Sequence, residues 1–113
     1  MDPMKPYSSY EGYYLESNMM IKIFYDSSYK FMMNIYSVTN KNYETLASNI
    51  ELTHKSTEKW SDKFEISETT INKKQKVEQQ DISINDKKIT TKDKVVLNRM
   101  SDDEIDKYTK TKK

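Results

Sequence analysis

Met19-Met20-Ile21-Lys22-Ile23-Phe24-Tyr25 and Tyr29-Lys30-Phe31-Met32-Met33-Asn34-Ile35-Tyr36-Ser37 flank the short polar link Asp26-Ser27-Ser28. Both runs are rich in Ile, Phe and Tyr, whose shapes suit a pleated surface, and the link has turn chemistry. A period of two puts Ile21, Ile23 and Tyr25 on one face, with Lys22 opposite. In the second run it puts Phe31, Met33 and Ile35 together, with Lys30 and Asn34 opposite. These residues predict an antiparallel hairpin, and the other elements are placed around it.

Downstream, Tyr43, Leu46, Ala47 and Ile50 fall at i, i+3, i+4 and i+7, the stripe of an amphipathic helix. Asn42 is placed to cap it, and it is expected to end near His54 or Lys55. Trp60 and Phe64, four apart, predict a second helical turn over Ser56 to Phe64, with a strand over Lys63 to Ser67 as the rival. From Ser67 to Gln80 only Ile71 and Val77 are apolar, so a polar loop or linker is expected. Asp81 to Ile84 and Lys88 to Thr91 around Asn85-Asp86-Lys87 predict another hairpin, and Lys94 to Leu97 a further short strand. Ser101 and Glu104 form a capping box that opens a short helix burying Ile105 and Tyr108. Upstream, residues 1–18 hold both prolines and the only glycine, and Met1 to Lys5 is expected to be irregular.

The fold class expected is therefore α+β: a small single domain with an N-terminal antiparallel hairpin, one or two central helices, short additional strands and a C-terminal helix. Four segments follow: a Tyr-rich segment 1–18, a core 19–66, a polar loop or linker 67–80, and a charged hairpin, strand and helix with a frayed tail over 81–113. The length of 113 residues suits one domain. Leu, Ile, Val and Phe make up 21 of the 113, under the roughly 20% below which a core is hard to build. Nine Tyr and seven Met supply apolar area in their place. A core this thin also suits self-association or a stabilising partner.

Composition excludes several chemistries. Without Cys there is no disulfide framework, thiol nucleophile or thiolate metal site. With one Gly there is no phosphate-cradling loop, and with one His no multi-histidine metal centre within one chain. No apolar run nears the roughly 20 residues that cross a bilayer. The acid in Met1-Asp2-Pro3 precedes any apolar stretch and reads against a secretory leader. A soluble, cytoplasmic protein with no membrane partner is expected.

Candidate functional residues fall into three groups. His54 has no partners at catalytic spacing, and Asp102, Asp103 and Glu104 suit the positive end of a helix dipole, so no catalytic, metal or cofactor site is expected. Tyr7, Tyr10, Tyr13 and Tyr14 share a window with Ser8, Ser9 and Gly12, the chemistry of adaptable contact surfaces. Together with Trp60 they are the candidate protein-binding residues; the plainer reading has the rings covering the hairpin. Lys87, Lys88, Lys92, Lys94 and Arg99 are the alternative, a nucleic-acid-binding set, joined by a lysine cluster at Lys73, Lys74 and Lys76. One arginine makes base readout weak, and interspersed acids dilute the field. The expectation is a small non-enzymatic accessory protein that binds, and inhibits or regulates, another macromolecule. Its partner is another protein, with nucleic acid as the alternative. The 18 to 1 ratio of Lys to Arg, with frequent Ile and Asn, suggests an AT-rich coding genome, and a short, Gly-poor, Cys-free chain without catalytic signatures suits a phage or mobile-element accessory protein.

Overall fold

The computed structural model describes residues 4–39, 42–71 and 75–109. The predicted hairpin is present as β2 (Met19–Tyr25) and β3 (Phe31–Thr39), paired antiparallel with Ile21 opposite Ile35 and Ile23 opposite Met33. Its turn is held by Asp26, whose Oδ1 accepts from the amides of Ser28 and Lys30 at 2.8 and 2.9 Å. β1 (Gly12–Glu16) pairs with β2, so Tyr13 and Tyr14 of the Tyr-rich segment are part of the sheet.

The α+β expectation is corrected: the protein is a curled antiparallel half-barrel with one terminal helix among the described residues, and it lacks the central helices. Residues 42–51 form β4 (Asn42–Glu51), paired with β3. The helical spacing there is produced by β-bulges. Met33 opposes Ile50 and Ile35 opposes Ala47, so two steps along β3 match three along β4. A second irregularity follows, with Tyr36 opposite Thr45. Each extra residue turns a spacing of two into three, which reads in the sequence as a helix stripe. Asn49 takes a positive φ of 59° at the first bulge, and its amide donates to Asn34 Oδ1 at 2.8 Å.

In place of the second expected helical turn there is a hairpin, β5 (Thr53–Thr57) and β6 (Asp62–Ile66); β6 matches the rival strand reading to within a residue, and β5 is unexpected. Its tip is closed by a 2.7 Å bond from the Glu58 amide to the Ser61 carbonyl. Trp60 and Phe64 therefore do not share a face: Trp60 is 77% exposed at the tip and Phe64 is fully buried. The stretch expected as a polar loop carries a separate two-stranded hairpin, β7 (Thr69–Ile71) and β8 (Gln75–Val77), with Val77 packed against the core. Residues 72–74, with Lys73 and Lys74, lie outside the described residues, as does the tail 110–113.

β9 (Gln80–Ile84), β10 (Lys88–Thr90) and β11 (Val96–Arg99) complete the sheet, whose order is β4-β3-β2-β1-β11-β10-β9-β6-β5. Its two outermost strands, β4 and β5, are separated in the chain by Leu52 alone, whose amide donates to the Phe31 carbonyl at 2.9 Å. The sheet has curled until its edges meet at one residue. Inside the curl lies the main core, which includes Tyr14, Ile23, Phe64, Ile84, Ile89 and Leu97. A second cluster on the outer face, with Met20, Tyr36, Val38 and Met100, is joined by Ile105 and Tyr108 of α1 (Asp102–Thr109). The capping box forms as read: the Glu104 amide donates to Ser101 Oγ at 3.2 Å and the Ser101 amide to Glu104 Oε1 at 3.0 Å. No helix among the described residues is long and apolar enough to cross a membrane.

The hairpin at residues 53–66 has a direct test in urea unfolding. Phe64→Ala is expected to cost about 3–5 kcal/mol as a buried aromatic truncation. Trp60→Ala should stay within about 0.5 kcal/mol, as surface changes do. Comparable losses for the two would restore the shared helical face.

Candidate functional site

The two ends of the half-barrel are built differently. One is filled by the chain that precedes β1. A 3-10 turn, Ser8–Tyr10, lies between Tyr7 and Gly12 and carries its rings inward. Tyr7 packs edge-on to Phe64 with ring centres 5.1 Å apart, lies 5.3 Å from Phe31, and stacks on His54 at 5.3 Å with 17° between planes. Its amide donates to the Tyr25 hydroxyl at 2.9 Å. Tyr10 donates to Asp62 Oδ2 at 2.5 Å, and the His54 ring nitrogen Nε2 lies 3.1 Å from the other oxygen.

Electrostatics follow from these contacts. Desolvation pushes the Asp62 carboxyl up, but hydrogen bonds with Tyr10, His54 and Thr57 outweigh it and hold Asp62 below its ordinary value. Burial, reinforced by the Asp62 bond, raises Tyr10, and burial pushes Tyr14 up to about 12 against the opposing pull of Arg99. A tyrosine so raised keeps its proton at neutral pH and serves as a hydrogen-bond donor, as Tyr10 does to Asp62 and Tyr14 to the Tyr10 carbonyl, and the arrangement reads as a packed polar closure.

Arg99 locks this end. Its Nη1 donates to the Ser9 carbonyl at 2.8 Å and the Asp86 carbonyl at 3.1 Å, and its Nη2 to the Glu11 carbonyl at 2.5 Å. The guanidinium carbon sits 5.7 Å from the centre of the Tyr14 ring, and the Tyr14 hydroxyl donates to the Tyr10 carbonyl at 2.7 Å. One planar cation thus joins the end of β11, the β9–β10 turn and the N-terminal segment, a role that suits a rigid fork of donors. The close approach explains the only glycine: at Gly12 φ is +149°, and an added Cβ would meet Arg99 Nη2 at 3.0 Å.

The other end contains a cavity of about 210 Å³. Met19 and Ile21 of β2 and Met33 and Ile35 of β3 form one wall, and Ile66, Ile82 and Ile89 face them from β6, β9 and β10. Val77 and Val95 narrow the opening, and Gln80, Thr91 and Asp93 form its lip. A polar hollow adjoins it, lined by Lys76, Glu78 and Lys92 besides the shared Val77, Gln80 and Asp93.

The residues nominated from sequence are distributed over this frame. Tyr7, Tyr10, Tyr14 and Arg99 are brought together at the filled end, and Tyr14 is fully buried. Tyr13 lies on the outer face beside α1, with Lys22 Nζ 5.7 Å from its ring centre. Trp60 stands apart at its hairpin tip, with Lys59 Nζ 5.5 Å from the ring centre. Lys87 and Lys88 are exposed at the β9–β10 turn and Lys92 and Lys94 at the β10–β11 turn, the opposite ends of β10. These four lysines do not form one cluster. The cavity was not read from sequence: alternation placed Ile21, Met33 and Ile35 on an apolar face, and nothing in that pattern tells a filled interior from a hollow one. Comparison with protein families, curated proteins and solved structures gave no significant match.

Two outcomes test the filled end. Arg99→Lys keeps the charge but cannot span three carbonyls, and Gly12→Ala forces a side chain into a glycine conformation; each should cost about 1–3 kcal/mol in urea unfolding. A loss no larger than that of Lys88→Gln would remove Arg99 from the closure. The second outcome is pH dependence. Asp62 is lowered on folding, so its contribution is complete above its ordinary value of 3.8 and is lost as pH falls through the lowered one. Tyr14 is raised, so its contribution is complete below pH 10 and is lost as pH rises towards about 12. Asp62→Asn should flatten the acid limb of urea midpoint against pH, and Tyr14→Phe the alkaline limb; unchanged limbs would contradict both assignments.

Proposed function

We propose that this protein is a non-enzymatic binding protein that holds a small, mostly apolar molecule in the open end of its half-barrel. The observation that carries this reading is the cavity of about 210 Å³ walled by Met, Ile and Val. Barrels of about eight strands have interiors just wide enough to be filled by side chains or to hold one small ligand. Here one end is filled by tyrosines and the other is hollow. Sites of this kind are concave, mostly apolar and supplied with a few polar groups, which matches Gln80, Thr91 and Asp93 at the lip. The tyrosine window favours this reading over a protein-contact surface, because Tyr7, Tyr10 and Tyr14 are engaged inside the molecule.

Methyl NMR tests it directly, since Met19 and Met33 line the cavity and Met100 lies in the outer cluster. Titration with toluene should shift the Met19 and Met33 methyl signals saturably and leave Met100 in place. Unmoved Met19 and Met33 signals at millimolar toluene would sink the proposal.

A further inference from the structure

The lip of the cavity carries information about what enters it. Thr91 Oγ1 accepts from the Val95 amide at 3.1 Å, while its own proton has no acceptor among the described residues. The Gln80 side chain is held only by long contacts: Oε1 takes the Lys92 amide at 3.4 Å and Nε2 reaches the Glu78 carbonyl at 3.4 Å. Two hydrogen-bond donors, a hydroxyl and a weakly engaged amide, are thus available at the mouth of an apolar hollow. Charge at the same mouth is balanced. Lys76 and Lys92 are matched by Glu78 and Asp93, and none of the four makes an ion pair among the described residues.

We infer that the cavity takes an uncharged ligand with an apolar body and one hydrogen-bond acceptor, held by the Thr91 hydroxyl and the Gln80 amide. The inference rests on the binding function proposed above and names the class of ligand. An anionic head would meet the Asp93 carboxylate, which lines the cavity itself. A cationic head would meet Asp93, but that carboxylate is exposed, with Lys92 in the adjoining hollow, and an ion pair open to water returns little. A charge removed from water needs a buried partner to offset the loss, and this lip holds none. A carbonyl, ether or hydroxyl oxygen needs only donors, which Thr91 and Gln80 provide. Size follows by proportion: a dry cavity of about 150 Å³ admits benzene, so one of 210 Å³ admits about eight non-hydrogen atoms.

Benzyl alcohol, toluene, benzoate and benzylamine share one ring and differ in the head group, so they separate these contributions. Dissociation constants are read at pH 7 from the Met19 and Met33 methyl shifts of the full chain. Benzyl alcohol should bind about fivefold more tightly than toluene, the gain of one hydrogen bond, and about tenfold or more tightly than benzoate or the benzylammonium ion. Thr91→Val should abolish the gain over toluene, and Thr91→Ser should keep it. The inference is overturned if either ion binds within threefold of benzyl alcohol, or if Thr91→Val binds benzyl alcohol as the unmodified protein does. Failure of toluene and benzyl alcohol alike would overturn the cavity as a binding site, and this inference with it.

Discussion

The meeting of the sheet's edges at Leu52 is the constraint on which the rest depends. β4 follows β3 to its end, and one residue later the same chain becomes the partner of β6. Both edges of the sheet are therefore continuous through the backbone, and the distance between them at that corner is a single residue. A flat sheet cannot satisfy this, so the strands must curl. Bulges supply the bend, because an extra residue on one strand increases local twist and coil. The two irregularities of β4, with the Asn34 side chain holding the amide of Asn49, lie on the strand that has to turn.

Curling creates an interior, and the apolar residues available to fill it are few. The chain fills one end with aromatic rings on the segment before β1. Tyr7 and Tyr10 carry hydroxyls that need partners once they leave water. Asp62 and the Tyr7 stack on His54 form one side of the closure, and Arg99 binds the carbonyls that a short 3-10 turn leaves without intrahelical donors. The polar groups and the rings explain one another: rings close the end, Asp62 accepts the Tyr10 hydroxyl, and Arg99 takes the backbone carbonyls of the turn. No side-chain polar atom is left buried without a partner among the described residues.

The opposite end is walled by aliphatic and methionine side chains, with Gln80, Thr91 and Asp93 at its lip, and these do not reach across. Val77, carried by a separate short hairpin, and Val95 narrow the opening. A thin core and a cavity are thus two consequences of one composition, and the second is the observation on which the proposed binding function rests.

Alternation and turn chemistry determined the β2–β3 hairpin and its inward face, because both act between near neighbours in the chain. The capping box determined the start of α1 for the same reason, Ser101 and Glu104 being three residues apart. The register of β4 was decided by tertiary structure: its bulges exist to bring β4 round a curl, and in the sequence they are indistinguishable from a helix stripe. The fate of the aromatics was decided there as well. Tyr14 and Trp60 are equally suited to a core or a surface, and only long-range pairing buries the first and leaves the second at a hairpin tip. Arg99 reads as a free cation until the fold brings to it the carbonyl of Asp86, 13 residues away, and those of Ser9 and Glu11, 90 and 88 residues away. The cavity belongs to the same category. A hollow is set by the distance between walls, and that distance is a property of the closed sheet rather than of any one strand.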